Sequence, residues 1–580
     1  MNACEYDILI ILKQKGYSNQ RSLADDSSYS VGAVNNALKN LQADGLIDKD
    51  FNLTDKAYGE FSATAPKNAV ILAAGYGMRM VPINAESPKA LLEVRGEPLI
   101  ERQIKQLQKA GVKKIQVVVG FMKEQFDYLI DEYGVELVVN TEYSSKNNLH
   151  SLWLVTESIN NTYIVPCDIW CEKNPFSPDE LYSWYMLSDQ KKPSSRVRIN
   201  RKGEIAPAEQ DGNKMIGIAY LCGDEAVRVK ENLKKLEKDV AYNDAFWEEA
   251  LFGADITIKA RAVKGVEVIE INTYEQLREL DGESKQLHSK TINIAASVLS
   301  VEPSQIKNIE VLKKGMTNRS FIFECKGERY IMRIPGEGTD MLINRREEAS
   351  VYGVLKDKDI CEDILYIDAK SGYKVTRFFE NARVCDAENK SDLAKCMAFL
   401  REFHQKRLTV DHTFDLFGKI DFYESLWDGK PSAYRDYKKT KEKVFSLREY
   451  IEKTKKPFCL THIDAVPDNF LLYKDANGKE SIRLIDWEYS AMQDPHLDIA
   501  MFSIYAMYNR EQIDTLIDIY FTEGCEPAVR KKIYAYVSVC GLLWSNWCEY
   551  KRQLGVEFGE YSLAQYRYAK DFYKIASEIL

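Results

Sequence analysis

The sequence predicts a multidomain chain. It has a small, mostly helical domain at 1–62, an α/β domain with a parallel sheet at 67–283, and an α+β domain at 285–580. Three observations carry this reading. The 580 residues exceed what one hydrophobic core holds, so three or four domains is the natural division. Strands and helices alternate through the middle ("NAVILAAG", "LIERQIKQLQKAG", "KKIQVVVG", "KEQFDYLIDEYG", "VELVVN"), the pattern of a parallel sheet. The last segment opens with strand-like runs ("RSFIFECKGERYIMRI") and then becomes helical.

Composition narrows the classes. Hydrophobic residues make up 45% and charged residues 29%, ordinary for a globular protein. A net charge of −9 does not suggest a general polyanion binder. No apolar run approaches the ~18 residues of a membrane span, so no membrane partner is expected. The opening "MNACEYDILIILKQKG" has acidic residues before its apolar run and is not read as a signal peptide. The twelve Cys form no CxxC pair, and "CDIWC" has no second Cys/His pair beside it to complete a zinc site. Reduced thiols in a cytoplasmic protein are expected.

In the first domain, "EYDILIILKQKG" is amphipathic and stops at Gly16. A cap-like Ser18 precedes a second helix, and "SVGAVNNALKNLQADGLI" places Val31, Val34, Ala37, Leu38 and Leu41 on a third. "DKDFNLTDKAYGEF" reads as a short wing and a final helix. The segment resembles a winged helix-turn-helix of transcriptional regulators. Six Lys/Arg stand against nine Asp/Glu in 1–62, a net of −3, and the third helix offers only Lys39. Phosphate contacts dominate DNA affinity, so a docking or oligomerisation role is expected ahead of DNA binding. A homo-oligomer is left open. "SATAPK" at 62–67 reads as a linker, and the charged "ELDGESKQLHSK" as the connector to the last segment.

In "AVILAAGYGMRM" a strand through Ala73 and Ala74 runs into a loop with Gly75 and Gly77, where backbone N–H groups can approach phosphate. Arg79 follows, and "SPKALLEV" places Lys89 ten residues later. Two cations and a glycine loop can hold a triphosphate and absorb charge developing on its α-phosphate. The stretch "ILAAGYGMRM…SPKALLEVRGEPLI", with "NNLHSLWLV" and "YIVPCDIW", resembles nucleotidyltransferases with a Rossmann-like fold that join an NTP to a phosphorylated small molecule. The resemblance implies that Asp168 binds Mg²⁺ and that Asn272, in "VIEINTYEQL", is the second ligand. Glu270 and Glu248 are alternatives for that role. It also implies direct attack of a substrate phosphate on the nucleotide, with loss of pyrophosphate. "GFMKEQFDYLIDEYGVELVVNTEYSSKNNLHSL" resembles bacterial phosphocholine cytidylyltransferases more than sugar-nucleotide enzymes. The choice of CTP over UTP is not readable. Trp153, Tyr163 and Trp170 are candidate aromatic walls, although each alone is expected in the core.

"THIDAVPDNFLLY" followed by "SIRLIDWEY" is the most specific text in the chain. Phosphotransfer needs one Asp to orient a hydroxyl, and an Asn and a second Asp to hold metal on the phosphates. Asp464, Asn469 and Asp486 supply these types. The resemblance is to choline kinases and aminoglycoside phosphotransferases, which share a protein-kinase-like fold. It implies that Gly315, in "KKGMTNRSFIF", covers the phosphates. It implies that Arg333 takes the place of the kinase Lys, and that Glu348 pairs with it, Glu347 being the alternative. His462 and Asp498 are read as structural. In "LLWSNWCEYKRQLGVEFGEYSLAQYRY", Trp544 and Trp547 resemble the choline-binding end of choline kinases, and Phe558 matches. A trimethylammonium has charge and no N–H, so aromatic faces suit it. Glu560 and Leu563 depart from the family's tyrosines, so Tyr505 or Tyr508 are candidates to complete the cage.

The two resemblances describe consecutive steps. Choline is phosphorylated with ATP, and phosphocholine is then coupled to CTP to give CDP-choline. Both steps imply Mg²⁺. Such a pathway supplies phosphocholine for surface glycans. The alternatives are a sugar-1-phosphate nucleotidyltransferase fused to a kinase for ethanolamine or an amino sugar, and a ligand-controlled DNA-binding regulator.

Overall fold

The structure is a computed structural model. It describes all residues except 28, 84–86, 194, 209, 254, 266, 285, 286, 288, 313–317, 337–341, 475–477, 554, 555, 557, 579 and 580. Two compact units result: Met1–Ile294 with Ile309–Val311, and Ala295–Asn308 with Leu312–Leu580. The division falls inside the helix Lys290–Leu299, later than the break expected at 283–285.

The first unit opens with helices Ala3–Lys15, Gln20–Ser27 and Val31–Ala43, a wing closed by the Ile47↔Leu53 bridge, and helix Asp55–Thr64. Asn2 and Glu5 form a capping box, and Gly16 ends the first helix as expected. Asn19, not Ser18, starts the second helix, accepting from the Ser22 N–H at 2.9 Å. Val34, Ala37, Leu38 and Leu41 are buried, but Val31 is exposed because it begins its helix at the surface. This domain shares a core with the next: Leu181 packs among Ile8, Leu9 and Phe61. Lys13 pairs with Asp179 at 2.6 Å, and the Tyr182 hydroxyl donates to Asp7 at 2.9 Å.

The middle sheet has seven strands in the order Lys259–Val263, Trp184–Pro193, Asp211–Leu221, Thr162–Pro166, Asn68–Ala73, Lys114–Val119, Glu136–Val139. The expectation of a parallel sheet needs correction: the sheet is mixed. The last four strands are parallel, but Asp211–Leu221 runs antiparallel to both its neighbours. No crossover helix separates Trp184–Pro193 from Asp211–Leu221, and a direct connection of that kind favours antiparallel pairing. The near-continuous burial of Asn68–Ala73 reflects helices on both faces.

In the second unit Asn318–Cys325 and Glu328–Pro335 form a hairpin, followed in the sheet by Lys374–Arg377 and Ile364–Ile367, all antiparallel. Helices then dominate, among them Lys390–Gln405, Leu416–Ser425, Leu497–Tyr505, Pro527–Gln553 and Glu560–Glu578. Two short antiparallel pairs lie among them: Phe470–Lys474 with Glu480–Leu484, and Cys459–Thr461 with Ala491–Gln493. No described helix is long and apolar enough to cross a membrane.

Candidate functional sites

In the middle domain, pairing carries distant residues to one point. Thr162–Pro166 lies parallel beside Asn68–Ala73, so Cys167 and Asp168 emerge next to the glycine loop. Ile169–Cys171 pairs antiparallel with Val268–Glu270, and the Ile271 N–H donates to the Asp168 carbonyl at 3.0 Å. Asp168 and Asn272 thereby face each other. Lys89 Nζ donates to Asp168 Oδ2 at 2.5 Å and to Asn272 Oδ1 at 2.7 Å, and Arg79 donates to the same amide oxygen at 3.0 Å. Ala73 and Ala74 are buried at the strand end, and Gly75 is exposed beyond them. Gly77 has φ +57°, and a Cβ there would stand 3.1 Å from the Lys89 Cβ, so glycine best suits both the backbone and the close approach of the lysine. The crevice beyond the carboxyl ends of parallel strands is where open α/β sheets bind ligands. Two hard oxygen donors from separate strands already close on one cation, the Lys89 ammonium. That donor chemistry would suit Mg²⁺, which Asp168 and Asn272 would hold.

Sequence reasoning offered Glu248 and Glu270 only as spare metal ligands. Glu248 takes a different place. Its Oε1 accepts from the Tyr185 hydroxyl at 3.0 Å, and its buried Oε2 has no partner among the described residues. Burial pushes its pKa up to about 7, with Glu249 and Glu270 adding to the shift. A Cβ on Gly217 would lie 2.6 Å from the Pro166 ring and 3.7 Å from Glu248 Oε1, which puts this carboxylate beside the end of strand Thr162–Pro166, two residues before Asp168. The three candidate aromatic walls take the core role expected of each ring alone. Tyr163 is fully buried, Trp170 carries Arg95 and Arg102 at 4.7 and 5.4 Å, and Trp153 stacks on His150. Each ring is used in packing.

In the kinase-like unit, Asp464 and Asn469 follow the strand Cys459–Thr461, and Asp486 follows Glu480–Leu484. Asn469 donates its side-chain N–H to the Asp464 carbonyl at 2.9 Å. Its own carbonyl accepts from the Ile485 N–H at 2.9 Å, so the two loops are stitched together. His462 Nε2 adds a contact of 3.0 Å to the Ile485 carbonyl. Burial, with Glu488 nearby, pushes the Asp464 carboxyl up to about 7 and holds Asp486 well above the usual carboxylate range. These half-buried carboxylates suit a divalent cation, which Asn469 and Asp486 would hold. Asp498 is structural as expected: it accepts from the N–H groups of His462 and Ile463 at 3.0 and 2.8 Å.

Arg333 and Glu348 form a buried two-bond pair, the second bond 2.9 Å, and Glu347 has no part in it. Arg345 also reaches Glu348 at 3.1 Å and Glu488 at 3.4 Å. Arg345 and Glu488 were not found from sequence, although "IDWEY" contains the second. Gly315 lies outside the described residues. A cavity of about 680 Å³ elsewhere in this unit is lined by none of these residues.

Six aromatic residues form a chain of ring contacts. Tyr489 meets Trp544 edge-on at 6.0 Å, and Trp544 meets Trp547 at 5.3 Å and 78°. Trp547 lies 5.1 Å from Phe558, Phe558 6.5 Å from Tyr561, and Tyr561 6.2 Å from Tyr505. One end adjoins Asp486 through Tyr489, three residues on. The other adjoins Asn469, because the Tyr505 hydroxyl donates to Asp468 at 2.8 Å. Tyr489 is not legible from sequence, and Tyr561 stands out there only as the tyrosine between Glu560 and Leu563. Tyr508 is buried elsewhere, its hydroxyl bonded to the Ala387 carbonyl. The tryptophans are not equivalent: Trp547 is 3% exposed and Trp544 is half-buried.

Comparison with known proteins agrees with this division. A family model described as winged helix-turn-helix DNA-binding matches 1–48, one for MobA-like NTP transferase domains matches 69–181, and one for choline/ethanolamine kinases matches 309–525. A choline-phosphate cytidylyltransferase of Streptococcus pneumoniae is 30% identical over 37% of this chain and 96% of its own length. A 2-aminoethylphosphonate cytidylyltransferase of Lancefieldella rimae is 31% identical over 37% of this chain and 92% of its own. Protein LicA of Haemophilus influenzae is 30% identical over 43% of this chain and 95% of its own. The chain is a fusion of two transferases, a nucleotidyltransferase and a kinase. It belongs to the cytidylyltransferase family through its middle domain and to the choline/ethanolamine kinase family through its C-terminal domain.

Proposed function

We propose that the chain makes CDP-choline in two steps, phosphorylating choline with ATP and coupling the phosphocholine to CTP with release of pyrophosphate. The chain of rings from Tyr489 to Tyr505 carries this reading, since both ends adjoin the phosphotransfer loops. A quaternary ammonium held there by cation–π attraction presents its hydroxyl to Asp464. Arg333, fixed by Glu348, faces the ATP phosphates. In the middle domain the glycine loop holds CTP, and Arg79 and Lys89 neutralise charge that develops on the α-phosphate. Mg²⁺, held by Asp168 and Asn272 in one site and by Asn469 and Asp486 in the other, supplies charge neutralisation and alignment of phosphate oxygens. The domains are 1–62, 67–283 and 285–580, and the cytoplasm is the compartment we assign.

Glu248 favours a second reading for the middle domain alone. An orphaned buried carboxylate oxygen suits an acceptor whose ammonium carries N–H groups, such as phosphoethanolamine or 2-aminoethylphosphonate. One experiment separates the readings. Purified protein is supplied with ATP, CTP and Mg²⁺ plus choline, ethanolamine or 2-aminoethylphosphonate, and the CDP-linked product and pyrophosphate are measured. CDP-choline as the preferred product supports the first reading. A cytidylylated primary amine formed in preference supports the second.

A further inference from the structure

The net charge of −9 hides a local reversal. Between 190 and 203 the chain carries six cations, Lys191, Lys192, Arg196, Arg198, Arg201 and Lys202, and no Asp or Glu. All six are exposed. The fold gathers them on one small structure in the first unit. Strand Trp184–Pro193 ends with the two lysines, the chain turns, and Val197–Ile199 pairs antiparallel with Ile205–Pro207. Val197 is buried, so its neighbours Arg196 and Arg198 point to solvent by strand alternation. Ala206 stands opposite Arg198 and is too small to cover it. The turn is fixed: Asn200 Oδ1 accepts from the N–H groups of Lys202 and Glu204 at 2.8 and 3.0 Å, which displays Arg201 and Lys202 outward.

Little offsets this charge. Glu204 is engaged by Lys259 at 2.8 Å, and Glu249 lies 3.7 Å from Arg196, whose side chain is still 84% exposed. Among the described residues, Asp189 on the same strand as Lys191 and Asp211 beside Pro193 are the other carboxylates near. Among the described residues Lys192, Arg201 and Lys202 have no ion-pair partner. A three-residue strand spans only about 10 Å, close to the Debye length of about 8 Å at physiological salt. Arg196 and Arg198, which flank Val197, therefore act on a facing surface together.

We propose that this hairpin face docks the enzyme on an anionic lipid bilayer surface. The chemistry disfavours nucleic acid. Residues 190–214 contain no Phe, Tyr, Trp or His to stack on bases, and the face offers no helix to enter a groove. An anionic bilayer requires neither. It attracts clustered Lys and Arg through its surface potential, without insertion.

The test uses the full chain and co-sedimentation with phosphatidylcholine vesicles, neutral or containing about a third phosphatidylglycerol. Binding to the anionic vesicles alone, lost as salt rises, is expected. Arg196→Glu/Arg198→Glu/Lys202→Glu should weaken it by at least about a hundredfold, and the Gln triple by less. The changed side chains are exposed and outside both sites, so melting temperature and both activities should match the parent. Failure to sediment with anionic vesicles overturns the proposal, as does equal sedimentation of the Glu triple. So does preferential binding of a duplex DNA competitor that displaces the vesicles.

Discussion

Trp544→Leu tests whether the ring chain reads a cation. Trp544 is half-buried and stands at steep angles to Tyr489 and Trp547, so part of its ring is open to solvent. A well-placed ring contributes about 0.5–2 kcal/mol to holding a cation. Its loss should raise the KM for choline roughly threefold to thirtyfold, at tenfold per ~1.4 kcal/mol. Trp544→Phe keeps a ring and should cost less. Trp547 is 3% exposed, and its loss leaves a cavity beside Phe558. Trp547→Leu should therefore lower stability, by about 3 kcal/mol on the scale of large core truncations. The assay is paired choline and ethanolamine kinetics, with melting temperature for each variant. The KM for ATP should hold steady in the Trp544 variants. Ethanolamine can hydrogen-bond and should respond less than choline. Equal choline kinetics for Trp544→Phe and Trp544→Leu would refute the argument, as would a Trp544 variant that merely melts early.

Three further outcomes follow from the same unit. Glu348→Ala removes the two-bond carboxylate partner of the buried Arg333 and one of the carboxylate partners of Arg345, and should cost roughly 3–5 kcal/mol in urea unfolding; Arg333→Met leaves Glu348 paired with Arg345 and should cost less. His404 contacts Asp498 at 3.0 Å and the Tyr520 hydroxyl at 2.9 Å, bracing the turn before Asp464. His404→Ala should lower choline kinase kcat by about a hundredfold with KM little changed, and His404→Gln should recover part of it. Burial, with Lys532 adding and Asp494 opposing, pushes the His496 pKa down to about 3. The unfolded chain then binds a proton that the folded chain refuses below pH ~6.5. This contribution is whole above that pH and fades as pH falls, so between pH 7 and 5 the parent should lose about 2 kcal/mol more than His496→Phe.

What the sequence made legible depended on how local each feature is. Asp464, Asn469 and Asp486 lie close together in the chain, at the ends of short strands, and their spacing carried their chemistry. Arg333 and Glu348 were readable because strand and helix are consecutive. Arg345 was hidden because an Arg among charged neighbours reads as a solvated face until a buried Glu488 is folded against it. Asp168 and Asn272 lie far apart, and strand pairing joins them; a family resemblance supplied what spacing could not. The mixed sheet was missed because alternating strands and helices hide the one antiparallel strand. The roles of Tyr489 and Tyr561 escaped because they sit on a loop and a second helix, and a ring chain belongs to no single element. The basic hairpin was averaged away in a chain whose total charge is negative.

The two transferase sites of this polypeptide should work independently of each other. Asp464→Ala and Asp168→Ala, each assayed for phosphorylation of choline and for CDP-choline formation from supplied phosphocholine, test this most directly. Asp464→Ala should lose the first activity and keep the second, and Asp168→Ala should do the reverse. Loss of both activities in either folded variant would contradict the account.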